Sequence, residues 1–544
     1  MAAGFDYIVI GAGSGGCAVA ARLSEDERAR VLLVEAGGSN RKLEVKAPLA
    51  FANQFHTKID WDYWSEPEPH LNGRRIYSPR GKMLGGSSSM NAMIYIRGNR
   101  LDYDAWSESG ATGWSYGDVL PVFRRAENNE QLADDFHGRG GPLNVTEIRD
   151  VDPVCRAYVE AAVELGIPRN DDFNGSRQDG AGQFQVTHRR GMRWSSAEAY
   201  LKPARKRDNL TIRTGTLATR VIVEHGRAVA VELADAKGKR ERVEAGSEVI
   251  LAGGSFNTPA LLQHSGIGPA DFLRSVGVAA VVDLPAVGEN LMEHPLVYVN
   301  HQLATGNVGM FDAEEPKHAL KWLLTRRGKL ASNFAECGAH IRTDPTMPAP
   351  NFQLLFGAGY FFDHGLMSWD APAGVIGLSL IAPRSRGTVR IRDADPTRKP
   401  AVTLNMLSEQ SEMDEMIDAV QRAREIAATG PARAVLAEEI TPGQNICTRE
   451  EIAAWIRTTC QHTYHPACTA RIGSPQDGAV DPDLRVHGVE RLRVADCSVM
   501  PTVIRGNTHA TAVMIGERCA EFVRRPAAGT ASAEPTPVTA GESR

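Results

Sequence analysis

Three glycines and one acid carry the plainest chemistry in this chain. Gly11, Gly13 and Gly16 form G-x-G-x-x-G directly after the apolar run Tyr7-Ile-Val-Ile10, where a helix opens near Cys17. In that setting the first glycine permits a tight turn, the second lets the backbone approach a pyrophosphate, and the third lets helix and strand pack closely. The helix N-terminus then faces the phosphates. About 20 residues on, a second apolar run, Val31-Leu-Leu-Val34, ends in Glu35, which can accept from ribose hydroxyls and repel a 2′-phosphate. Glycines alone also serve ordinary turns; strand, glycines, helix, strand and acid in this order predict a dinucleotide site.

A second group is Cys460-Gln-His-Thr-Tyr-His-Pro-Ala-Cys468, with two thiols and two imidazoles in nine residues. That crowding does not match the two-plus-two spacing of zinc sites, and no metal is expected. His462 reads as a packed or hydrogen-bonded histidine. The eight cysteines are scattered and form no C-x-x-C pair, which predicts reduced thiols and a cytoplasmic location. Nothing marks Cys468 or Cys497 as reactive.

These groups need a large frame. With 544 residues, 42% hydrophobic and 23% charged, the chain predicts two interwoven domains of a globular protein. A net charge of -5 leaves no basic footprint for nucleic acid, and clusters such as Arg189-Arg190 read as solvated or phosphate-facing. No apolar run is long enough for a membrane span, and no targeting peptide is expected. Beyond Glu35, the irregular stretch around Trp61, Tyr63 and Trp64 reads as an excursion over the cofactor. The small-residue loop Gly81-Lys-Met-Leu-Gly-Gly-Ser-Ser-Ser-Met-Asn91 offers backbone N–H groups and hydroxyls to a polar ligand.

Helical spacing marks 154–165, whereas 171–182 reads as loop. Strand-like runs at 210–212, 218–224, 228–233 and 248–251 predict a small antiparallel meander. It feeds a strand-to-helix turn at 252–262 with Pro259 near the helix start. Alternating apolar runs at 352–356 and 375–381 predict a sheet-containing second domain. Helices at 413–428, 450–459 and 510–523 and a strand at 492–495 complete the set. Residues 526–544 have almost nothing to bury and should be disordered.

Three stretches together resemble the glucose–methanol–choline family of flavin-dependent oxidoreductases. They are the N-terminal fingerprint, the run 81–104 with its Gly-Gly-Ser-Ser core, Asn91, Tyr95 and Gly98, and Gly254-Ser-Phe-Asn-Thr-Pro-Ala-Leu-Leu-Gln-His-Ser-Gly-Ile-Gly268. Val287-Gly-Glu-Asn-Leu-Met-Glu-His294 and Arg493-Val-Ala-Asp-Cys-Ser-Val-Met-Pro501 extend the likeness. The resemblance implies an α/β fold in which a Rossmann-like FAD-binding domain (1–150, 205–294 and 475–525) interweaves with an α+β substrate domain on an antiparallel sheet (151–204 and 295–474). It implies FAD, held without a covalent bond because Met90 stands where some relatives carry an attaching histidine. No second G-x-G-x-x-G lies in mid-chain, so nicotinamide is not the expected electron partner.

Carried over residue by residue, the resemblance implies FAD contacts at Gly11, Gly13, Ser14, Gly16, Glu35 and Ala36. It adds Gly85, Ser87, Asn91, Ala92, Met93, Ile94, Val221, Ala252, Tyr464, Asp496, Cys497 and Thr508. His465 of the His-Pro dipeptide is implied as the base that takes the alcohol proton, and His509 as its partner, at a position that is His or Asn in the family. Substrate contacts are implied at Met93, Phe334, Tyr464 and Glu336, the last also readable as a structural carboxylate.

The activity implied is oxidation of an aryl, furan or apolar alcohol to the carbonyl, with oxygen or another acceptor taking the electrons. Phe334, Phe352, Phe356, Tyr360, Phe361, Phe362 and Trp369 suggest that substrate class, although half or more of them can be core. A choline-like cation is not favoured. Hydroxynitrile lyase and fatty-acid photodecarboxylase chemistry on the same scaffold remain alternatives. A monomer or small homo-oligomer is expected.

Overall fold

Phe5–Ile10 and Val31–Val34 pair in parallel, with Tyr7 opposite Val31 and Ile10 opposite Val34. Parallel strands are covered on both faces and therefore read as unbroken apolar runs; all of Val31–Val34 is buried. The C-terminal half of Arg240–Leu251 lies on the other side of Phe5–Ile10, also parallel. Its N-terminal half pairs antiparallel with Arg227–Asp235, which in turn pairs with Thr216–Glu224. Leu210–Arg213 and Leu492–Val494 complete a seven-stranded sheet.

The expected meander thus holds three strands, and Leu210–Arg213 belongs to the parallel set. At its end the chain bends over the second strand rather than reversing. Gly215 takes a positive φ of 64°, its N–H donates to the Gly37 carbonyl, and the Thr216 N–H donates to that of Glu35. Pro259 also departs from expectation, lying inside the helix Gly254–His264. Proline cannot donate to the carbonyl four residues back. That carbonyl, of Ser255, accepts instead from the Thr469 hydroxyl at 2.8 Å.

A second seven-stranded sheet runs Leu436–Thr441, Pro295–Leu303, Ala373–Leu380, Phe352–Gly357, Ala335–Ile341 and Gly180–Gln183, with Gln461–His462 pairing Pro295–Leu303. Its neighbours are antiparallel, and side chains alternate between faces. Val297, Val299, Leu354, Phe356, Ile376 and Leu378 pack into the core shared with the helices Pro153–Glu164 and Gln410–Ala428. Leu296, Tyr298, Leu355 and Val375 face the opposite way, into a cavity against the first sheet. The fold is therefore a Rossmann-like sheet domain interwoven with a sheet-rich second domain. The model is a computed structural model that describes residues 4–525; the tail at 526–544 lies outside the described residues.

A buried charge network braces the segment after the small-residue loop. Arg97 pairs with Glu127, Glu127 Oε1 meets His137 Nδ1 at 3.1 Å, and His137 Nε2 meets Asp172 at 3.0 Å. Burial disfavours a charged His137, but hydrogen bonds to Asp172 and Glu127 outweigh it and raise its pKa to about 9. Because the folded pKa exceeds the unfolded one, this stabilisation is complete below about pH 6.5 and is lost as pH rises through about 9. The parent protein should therefore lose thermal stability over that window more steeply than His137→Gln, by on the order of 3 kcal/mol. Parallel melting curves across the window would refute the protonated state.

Candidate active site

The end of the first strand builds one wall of the cavity. Gly11 has φ 99°, and a Cβ there would lie 2.3 Å from the Ala252 carbonyl oxygen, so only glycine passes. The helix Ser14–Leu23 follows with no side-chain cap at its N-terminus, and Gly13, Ser14 and Gly15 line the cavity. Uncapped first-turn N–H groups at that end suit an anionic group. Gly86, with φ 52°, brings the small-residue loop against this turn, where a Cβ would meet Gly13 Cα at 2.8 Å. Glu35 accepts from the N–H groups of Ala12 (2.9 Å) and Gly37 (2.8 Å) and lines the same space. Burial raises its pKa to about 7 against those two bonds.

A second cluster lies across the cavity, which has a volume of about 360 Å³. Pairing of His462 with Pro295 delivers Tyr464 and His465 just beyond the second sheet. The helix Gly254–His264 fixes the segment that follows: Ser255 Oγ donates to the Pro466 carbonyl at 2.6 Å, and Thr469 caps Ser255 as described. The His465 backbone N–H donates to Glu293 Oε1 at 2.7 Å. Its ring Nδ1 meets Nδ1 of His294 at 3.0 Å, and its Nε2 meets the Asn507 amide nitrogen at 3.3 Å. One proton serves the Nδ1 contact; with it on His465, Nε2 keeps a lone pair. Burial, then the neighbouring His294, Arg80 and His462, hold the ring well below the ordinary histidine range, so it is neutral at pH 7.

His509 lines the cavity but does not face His465 within hydrogen-bonding reach. It is the first residue of the helix His509–Arg524, and its Nδ1 meets Ser14 Oγ at 3.0 Å, on the glycine-turn side. Its Nε2 is buried with no partner among the described residues, and burial lowers its pKa to about 4. The residue beside His465 is Asn507, whose Oδ1 accepts from Gln353 Nε2 at 3.0 Å. Both residues lie in Arg505-Gly-Asn-Thr-His509, and the allowance for His or Asn was the available signal.

Of the other expected contacts, Ala36, Ser87, Asn91, Ala92, Met93, Ile94, Ala252, Tyr464, Asp496, Cys497, Thr508 and Phe334 line the cavity. Four do not. Gly16 acts in packing, where a Cβ would sit 1.9 Å from the Gly11 carbonyl oxygen. Gly85, at φ 90°, donates its N–H to the Ala12 carbonyl and shapes the loop. Val221 is fully buried with its N–H on Ser265 Oγ, while Thr216–Thr219, earlier in the same strand, reach the cavity. Glu336 follows the lining residue Ala335 at a register shift and turns away to accept the Asp152 N–H.

His462 is held by Ser78 Oγ and the Tyr77 carbonyl and accepts the Tyr464 N–H, a structural set of bonds. Phe352 and Phe356 are core, and Trp369 is exposed. Phe51, Phe55, Leu296 and Tyr298, which the sequence did not single out, join Phe334 and Phe361 in lining the cavity.

Residues 5–296 and 383–516 match the N- and C-terminal GMC oxidoreductase family profiles. The chain belongs to the GMC oxidoreductase family. It is 42% identical over 526 residues to an uncharacterized GMC-type oxidoreductase of Mycobacterium tuberculosis, covering 95% of this chain and 99% of that one. It is 39% identical over 535 residues to mitochondrial choline dehydrogenase of Homo sapiens, covering 96% and 90%. A formate oxidase of Aspergillus oryzae RIB40, solved to study modification of its FAD, superposes with TM-score 0.90 at 27% identity, covering 95% of this chain and 98% of that one. Structural neighbours in the GMC family are thus flavoproteins, and the uncapped helix, the glycine turns and Glu35 fit such a cofactor here. Among the described residues no helix is long and apolar enough to cross a membrane.

Proposed function

We propose that this GMC oxidoreductase oxidises a neutral aryl or apolar alcohol to the carbonyl, with His465 as base and Asn507 as its partner. The observation that carries this reading is His465 Nε2 beside the Asn507 amide, both lining a largely apolar cavity. FAD, when bound, supplies the hydride acceptor. Glu35 would hold its ribose, and Gly13, Ser14 and Gly15 its pyrophosphate. His509 Nε2, otherwise unpartnered, would donate to it. With Met90 at the attachment position, the cofactor is held without a covalent bond.

His465 Nε2 takes the hydroxyl proton as the carbinol C–H bond breaks, and the Asn507 amide holds the same oxygen in line. Hydride leaves an alcohol carbon readily only as that proton departs, and a neutral imidazole is ready for it at pH 7. The electrons then pass to oxygen or another acceptor.

Charge supports the neutral substrate class. The carboxylates lining the cavity are Glu35 and Asp496, and Asp496 already accepts from the Gly254 N–H and the Thr258 hydroxyl. Glu35 is held at the glycine turn by Ala12 and Gly37, whereas the half-buried Arg80 also lines the cavity and donates to the Tyr464 carbonyl. A quaternary ammonium there would meet aromatic faces but also the Arg80 cation, whose neighbouring carboxylates Glu293 and Asp60 do not line the cavity.

Three outcomes follow. In stopped-flow flavin reduction, His465→Ala should slow the step about 10²–10⁴-fold with flavin retained. Asn507→Ala should slow it more than His509→Ala, which should chiefly lower flavin content; a near-parental rate for His465→Ala would move the base elsewhere. Benzyl alcohol should exceed choline in kcat/KM by more than about tenfold, a difference of about 1.4 kcal/mol, and the reverse order would overturn the neutral-substrate reading. Acid precipitation should leave a colourless pellet and a yellow supernatant, and colour held on the pellet would show a covalent bond.

A further inference from the structure

The helix Pro316–Thr325 leaves its apolar side uncovered. Leu320, Leu323 and Leu324 are 58%, 47% and 76% exposed, while Trp322 alone turns inward and donates its indole N–H to the Gly191 carbonyl at 2.9 Å. Phe311 and Val308, 50% and 43% exposed, precede it. The Met310 N–H donates to the Ala358 carbonyl, and Trp369, 41% exposed, stacks on Tyr360 at 5.8 Å. The turn 358–360 therefore carries apolar side chains on both flanks. The same turn packs on Phe334 of the cavity wall, where a Cβ at Gly359 would meet that ring at 2.7 Å.

Cations gather at the C-terminal end of the helix. Arg326 lies over the Trp322 ring at 4.6 Å, and Arg326, Arg327, Arg190 and Arg149 share one cleft with Glu147 and Asp150. Lys321, Arg326 and Arg327 form no ion pair among the described residues, whereas Lys317, His318 and Lys329 are matched by Asp312 at the other end. Exposed leucines bordered by unmatched arginine and lysine form the pattern of an element that lies in a membrane interface with its cations at lipid headgroups.

We propose that this face docks on an anionic lipid surface, with Leu320, Leu323 and Leu324 inserted among the acyl chains and Lys321, Arg326 and Arg327 at the phosphates. The helix lies on the surface and does not span it. The turn 358–360, which packs on Phe334 of the cavity wall, then lies beside the layer into which an apolar molecule partitions. Docking does not depend on the chemistry assigned to His465.

Flotation of the full chain with phosphatidylcholine vesicles, with and without phosphatidylglycerol, tests it. Retention should require phosphatidylglycerol and fall as salt screens the cations. The pair Arg326→Gln, Arg327→Gln should weaken it roughly 30-fold, and Leu320→Ser, Leu324→Ser should abolish it. None of these residues lines the cavity, so flavin content and oxidation of a soluble alcohol should stay at the parental level. Absence of vesicle binding, or binding that neither pair reduces, overturns the proposal. A concentration-dependent dimer in light scattering that the leucine pair dissolves also overturns it, assigning the face to a second copy of this chain.

Discussion

The contact on which most of the structure depends is the approach of Gly11 to the Ala252 carbonyl. The Gly11 N–H donates to the Val34 carbonyl and the Ala252 N–H to that of Ile10, so the ends of three strands meet within one turn. A methyl group at Gly11 would force Ala252 away. Ala252 leads straight into the helix Gly254–His264, whose Ser255 holds Pro466 through its hydroxyl and Thr469 through its carbonyl. The phosphate-facing turn and the segment carrying His465 are thereby set by a single backbone packing requirement. Misplacing one displaces the other.

This linkage explains what the sequence could and could not reveal. The glycine turn, Glu35 and the parallel strands were legible because each answers a local need: positive φ, close approach, or burial on two faces. Asn507 was not, because two polar residues two positions apart compete and spacing alone does not say which reaches His465. The start of the helix at His509 decides it, turning that ring toward Ser14 and leaving Asn507 in the preceding segment. Glu336 was open to both a substrate-facing and a structural reading for a related reason. An apolar strand displays period two, but the register shift between Ala335 and Cys337 reassigns the face.

The pocket wall was the least legible part. Phe51 comes from the short helix Pro48–Gln54 and Phe55 from the residue just after it, Leu296 and Tyr298 from one strand, and Phe334 and Phe361 from loops. Leu296 and Tyr298 alternate with Val297 and Val299, and all four are buried. Which pair faces substrate depends on where the helices Pro153–Glu164 and Gln410–Ala428 cover the sheet, a tertiary fact.

Burial sets a tension at the proposed base. A desolvated imidazole stays neutral and available at pH 7, yet accepting a proton creates a cation close to Arg80. An offset is available in Glu293, whose Oε1 accepts the N–H groups of both His294 and His465 while Oε2 has no hydrogen-bond partner among the described residues. Burial raises the pKa of Glu293 to about 7, and Arg80 opposes that shift. As pH rises through that value the carboxylate ionises, balances Arg80, and makes an imidazolium at His465 easier to form. Ionisation of Glu293 then contributes to the pH dependence of that step near neutrality, beside Glu35, which burial raises to the same value.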